Sequence, residues 1–281
     1  MHRRTLLRNL ATYATTLLSG KAFSSQHPIS LLVHPFDNPR RLFARFHPMT
    51  TYLSQATHQI KLNLLTSYQQ QLDMITCQKQ ENVAYLGPST FHLARQLNPN
   101  IKPLAMETIG GKTHFRALLL TQTDSGIFQP KDVIRRRFAV GDELSLGSTL
   151  YPRYWLKRAD VETNQLLSWD SYKNHDQILQ ALLHQQADIG CVREDIAQPY
   201  LSRGLRVIDR SEPLPPHIVV ASSPTDTSFC HQISQRLIFP DSQGEFAIRA
   251  LGKQHGFTHY DANAYDFMQE IFQTLSEDIS S

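Results

Sequence analysis

The 281-residue chain has only three cysteines, Cys77, Cys191 and Cys230. None belongs to a C-x-x-C pair, and an odd number this small admits at most one disulfide. Their surroundings, "DMITCQ", "ADIGCV" and "SFCHQI", suit core packing rather than reactivity. No H-E-x-x-H spacing occurs and the 13 histidines are scattered, so neither a metal nor any other cofactor is expected. No Ser-His-Asp constellation emerges either, which argues against an enzyme. Net charge is low, +3, so nothing calls for nucleic acid as a partner, although mild basicity suits a small anion. No run reaches the roughly 18 consecutive apolar residues that a membrane-spanning helix needs.

What is present begins with an unusual N-terminus. "MHRRTLLRNL" carries Arg3, Arg4 and Arg8, followed by a modestly apolar run and the small-residue exit Ala22-x-Ser24. Residues 1–26 therefore read as a twin-arginine-like export signal, cleaved near Ser24, for a periplasmic protein. The competing reading is a basic amphipathic helix of the mature chain.

Apolar runs then alternate with amphipathic stretches, the pattern of an α/β protein with largely parallel sheets. "ISLLVHPF", "IKLNLLT" and "ENVAYLG" read as strands separated by helices. Near residue 120 the character changes, and a second α/β unit follows until a proline cluster, "SEPLPPHIVV". We expect one lobe from 27–120 plus 217–281 and another from 121–216, with crossings near Leu119–Thr121 and Pro215–Val219 acting as a hinge. The last 60 residues are expected to close the first lobe as helices.

The stretch "DELSLGSTLYPRYWL" (142–156) places small hydroxyl and glycine residues where a helix opens. Two explanations compete. Ser145 and Ser148 either cap the helix, or they and the free N–H groups there hold an anion, because a desolvated anion needs fixed donors and a helix N-terminus supplies them.

"GDELSLGSTLYPRYWL", "HDQILQALLHQQADIGCV" and "LRVIDRSEPLPPHIVV", preceded by "TSYQQQLDMI" and "VAYLGPSTF", follow in the order and spacing of a known family. Over residues 28–240 the chain resembles the phosphate, phosphite and phosphonate substrate-binding proteins of bacterial ABC importers. The resemblance implies a two-lobed type II periplasmic-binding-protein fold with two hinge strands and an interlobe cleft. It implies capture of a small anionic ligand, delivery to an ABC permease in the inner membrane, and action as a monomer. Partnership with a membrane sensor kinase is the alternative, or an enzyme on the same fold such as one of thiamine-pyrimidine synthesis, although its cysteine-rich run is missing. A transcription regulator's ligand-binding domain would need a DNA-binding helix pair that residues 1–26 do not supply.

By the same resemblance, ligand-binding positions fall at Tyr68, Tyr85 and Ser89 in the first lobe, and at Ser145, Gly147, Ser148 and Thr149 in the turn. His175 and Asp176 open a helix and align with a His-acid pair. His217 stands where some relatives carry an acid that binds an amino group, which argues against an aminoalkyl substrate. Leu146 and Gly147 remove two hydroxyls that many relatives have, and Leu86 replaces a tyrosine. Glu194 lies near another family acid, and Arg153 is expected to pair with a carboxylate.

Overall fold

The computed structural model describes residues 29–55 and 59–276; the expected export signal lies outside them. The first half runs β1 (Ile29–Val33), α1 (Pro39–Ser54), β2 (Ile60–Leu64), α2 (Tyr68–Thr76), β3 (Asn82–Leu86), α3 (Pro88–Leu97), β4 (Lys102–Ile109) and β5 (Ala117–Gln122). It continues with β6 (Arg137–Val140), α4 (Tyr151–Lys157), β7 (Ser168–Ser171), α5 (His175–Leu183), β8 (Ile189–Arg193), α6 (Glu194–Leu201) and β9 (Leu205–Arg210). The chain closes with β10 (Ile218–Ala221), α7 (Thr227–Ile238), α8 (Ser242–Arg249), β11 (His255–Thr258) and α9 (Asp266–Ser276).

Local chemistry sets several helix starts. Asn38, Ser67 and Asn174 each accept a hydrogen bond from the backbone N–H two or three residues on, and Pro39 and Pro88 occupy first-turn positions where no N–H is needed. Pro48 is accommodated inside α1.

Two sheets form, in the orders β11-β4-β10-β3-β1-β2 and β7-β6-β8-β5-β9. They are mixed rather than largely parallel, because β10 runs against both β3 and β4, and β5 against both β8 and β9. Strand alternation feeds both faces. Leu31 and Val33 join one core of the first sheet with α1, α7 and α8, while Leu32 joins the other with α2 and α3. In the second sheet Leu119 faces α4 and Leu118 faces α5 and α6 in the same way. The three cysteines are free; Cys191 and Cys230 are buried in these cores.

The lobe changes come earlier than the expected boundary at 120. Leu119–Thr121 lie inside β5, which belongs to the second sheet, so the first crossing is the connection between Ile109 and Ala117. The return runs between Arg210 and Ile218. These two connections pair as a short ladder: Phe115 N–H donates to Leu214 O at 3.0 Å, and Leu214 N–H to Phe115 O at 2.8 Å. A third crossing was not anticipated. After β11 the chain enters α9, whose Met268 and Ile271 complete the second lobe's core beside α4, so the C-terminal helix closes the second lobe and not the first. Its apolar stripe satisfies either core, and only tertiary packing decides between them.

Candidate functional site

Open α/β sheets leave a crevice at the carboxyl ends of their parallel strands, and here the two crevices face each other. The segment after β3 brings Ser89, the start of α2 brings Tyr68, the turn after β6 brings Ser145 and Gly147, and the start of α5 brings His175. His217 enters just ahead of β10. These six expected residues line one small interlobe pocket of about 20 Å³ together with Phe36, Phe115 and Arg193. Tyr85 and Asp176 line a larger cavity of about 310 Å³, which shares Phe36, His175 and Arg193 with the small pocket as a common wall. Ser148 and Thr149 are buried behind the turn and line neither.

The geometry of the turn bears on the competing explanations. Ser145 stands at the N-cap position yet its side chain caps nothing. Instead Ser148 Oγ donates to Ser145 Oγ at 2.7 Å, and Ser145 meets the Tyr68 hydroxyl across the cleft. Burial pushes the Tyr68 phenol's pKa up, so it stays a neutral hydroxyl. Residues Leu146–Leu150 form a widened turn with i→i+5 bonding that runs directly into α4. Gly141 makes the tucked Ser148 feasible, since a Cβ there would come within 2.1 Å of Ser148 Oγ. Ser89 Oγ donates to the Leu144 carbonyl, another link between the lobes, and Thr149 Oγ1 is buried without a partner.

Arg193, at the last residue of β8, is the principal residue that sequence reasoning missed. Its guanidinium is buried against Asp195 at 3.0 Å and lies 3.9 Å from Glu107, with Phe115 under it at 5.0 Å. A charged residue ending an apolar strand, in "DIGCVR", was the available signal. Glu107, in β4, is also buried: Tyr85 Oη donates to it at 2.5 Å, His255 lies at 3.1 Å and His217 at 3.3 Å. Burial alone would raise the Glu107 carboxyl, but His217, His255 and the Arg193 charge hold it well below the usual range.

Three buried histidines, His34, His175 and His217, are held neutral by their surroundings. Burial, reinforced by the Arg193 charge, lowers His175 to about 4. Burial also lowers His34 and His217, which stack at 5.6 Å between centroids. His217 further stacks on Tyr85 at 4.8 Å and 4°. The Nδ1 atom of His175 and the Nε2 atom of His34 are buried without partners. Among the described residues no group of His, Cys, Asp or Glu is arranged to hold a metal ion.

Two peripheral expectations resolve differently. Glu194 turns away from the small pocket and pairs with Arg210 at 2.8 Å. Arg153 lies over the Trp169 ring at 5.6 Å rather than beside a carboxylate.

Comparison with known proteins agrees with this architecture. A binding-protein component of an ABC phosphonate transporter from Pseudomonas aeruginosa superposes with a TM-score of 0.78 at 17% identity, covering 91% of this chain and 89% of that one. PhnD1 from Prochlorococcus marinus, solved with methylphosphonate, gives 0.77 at 18% identity, covering 89% and 99%. A Xanthomonas citri protein solved with ATP gives 0.71 at 14%, covering 89% and 98%. All share the two-lobed binding-protein fold. The family model described as "ABC transporter, phosphonate, periplasmic substrate-binding protein" matches residues 31–265, and the chain belongs to that family.

Proposed function

We propose that this chain captures a ligand bearing a tetrahedral oxyanion, of phosphate, phosphite or phosphonate type, and delivers it to an inner-membrane ABC importer. The observation that carries this reading is the lining of the small pocket. It unites the Ser89 and Ser145 hydroxyls, the Tyr68 phenol, His175, His217 and the buried Arg193 guanidinium, with no carboxylate on its wall. Hydrogen-bond donors plus one enclosed cation are what a dehydrated oxyanion needs in place of water. The Prochlorococcus marinus relative was solved with methylphosphonate, which supports the same class of head group.

The free space of about 20 Å³ is little more than one water requires. A head group of four or five heavy atoms therefore enters an opened form, and the lobes re-close by small shifts around it. A thermal-shift panel of small oxyanions and phosphonates tests the reading. A ligand present at about 100 times its dissociation constant adds roughly 2.7 kcal/mol to stability, and no shift with any member of the panel defeats the proposal. For export, the intact mass of periplasmic material is expected to place the mature N-terminus near Ser25.

A further inference from the structure

The larger cavity beside the small pocket has its own chemistry. Its volume, about 310 Å³, lies at the lower end of the range for small-molecule sites. Six charged residues on its wall are already committed to one another. Asp37 pairs with Arg41 at 2.6 Å and with Arg45 at 3.2 Å, Arg41 reaches on to Asp176, and Asp195 holds Arg193. No unpaired carboxylate awaits an amino group, and Arg41, Arg45 and Arg193 each already face a carboxylate. Beside the rings of His175, Tyr200 and His255, the rest of the wall is mainly carbon: Phe36, Phe46, Tyr85, Ile196, Pro199 and Leu251 line the same space.

We infer that this cavity receives an apolar, ring-sized substituent on the ligand, so that the substrate class is an organic phosphonate or phosphate monoester with an aryl-sized tail. The inference rests on the head-group reading above, because Phe36, His175 and Arg193 wall both spaces and a ligand lying across them has its anion in the small pocket. A methyl tail leaves the aromatic floor wet. A benzyl tail removes roughly a ring's worth of carbon from water, and burial of apolar area drives that transfer.

Calorimetric titration with inorganic phosphate, methylphosphonate and benzylphosphonate tests this on the wild-type protein and on Ile196→Trp. Ile196 is half-buried on α6 at the wall of the larger cavity and is not part of the small pocket's lining, so a larger ring there is expected to occupy the tail space alone. Benzylphosphonate is expected to bind the wild type at least about tenfold tighter than methylphosphonate. Ile196→Trp is expected to erase that preference while methylphosphonate affinity stays within about twofold. Equal or weaker binding of benzylphosphonate by the wild type overturns the tail assignment and leaves the head-group reading intact. Absence of binding by all three overturns both. Because the wild-type ratio alone decides the first question, failure of the variant to fold does not protect the proposal.

Discussion

Arg41 of α1 and Asp176 of α5, 135 positions apart, form an ion pair across the mouth of the cleft. Asp37 steadies the arginine, and the Tyr200 hydroxyl donates to the aspartate at 3.3 Å. Asp176 was expected as a ligand contact, and its structural position is that of a bolt between the lobes. The two side chains are 48% and 30% exposed, so the pair is worth no more than about 1 kcal/mol. Asp176→Asn is therefore expected to weaken ligand binding only about two- to fivefold, mainly through faster dissociation, with a difference that shrinks in high salt. Stopped-flow release at two ionic strengths checks this, and a loss beyond about thirtyfold would make Asp176 a direct ligand contact instead.

Removing Arg193 has a different scale. Glu107 lies inside the protein, and among the described residues Arg193 is its one ion-pair partner that is charged at every working pH. Arg193→Gln leaves that carboxylate uncompensated and is expected to cost about 3–5 kcal/mol in urea unfolding, as well as abolishing oxyanion binding by the fraction that still folds. Arg193→Lys keeps the charge but loses the two-pronged contact with Asp195, so it should recover most of the stability and little of the affinity.

Why Arg193 escaped sequence reading while Ser145 did not follows from the distance over which each signal acts. Ser145 and Gly147 sit in a local pattern, a small-residue turn between an apolar strand and a helix, which is visible in a window of ten residues. Arg193 owes its role to Glu107 and His217, partners 86 and 24 positions away, and a lone arginine at the end of a strand carries no hint of either. The strand-helix order through β3 was legible because apolar runs buried on both faces are unmistakable. The hinge was not, since the apolar run of β5 gives no sign of which sheet it enters. The segment "LRVIDRSEPLPPHIVV" divides into β9 and β10 around its proline cluster, because proline cannot supply the ladder N–H groups.

Within the opening turn, Ser148→Ala separates structural from binding roles. Ser148 donates to Ser145 rather than capping a helix, so stability should change by less than about 1 kcal/mol. Affinity for the best ligand of the panel should fall about tenfold if the Ser148–Ser145–Tyr68 chain fixes the hydroxyls at the head group. Gly147→Val is expected to be more severe. Its Cβ would lie 3.3 Å from Phe115 Cε2, crowding the ring that lies under the Arg193 guanidinium. Unchanged affinity in both variants, measured by titration beside unfolding curves, would remove this turn from the site.

The buried histidines give the last prediction, on acidity. His175 titrates near 6.5 when unfolded and at about 4 when folded, held down first by burial and then by Arg193. Below 6.5 the unfolded chain takes up a proton that the folded one refuses, so the stability from neutral His175 is complete above pH 6.5 and is lost as pH falls toward 4. The shift corresponds to roughly 3 kcal/mol. In His175→Gln the group is absent, whereas its neighbours Asp37, Asp195, Arg193, His34 and His217 are common to both proteins. The wild type should therefore lose roughly 3 kcal/mol more than the variant between pH 7 and pH 4, read from urea unfolding at each pH. A bound oxyanion favours the imidazolium and should narrow that difference when ligand saturates the protein. Parallel stability-pH curves for the two ligand-free proteins would show that His175 is not the buried neutral group described, and would remove the basis for coupling ligand capture to protonation at this residue.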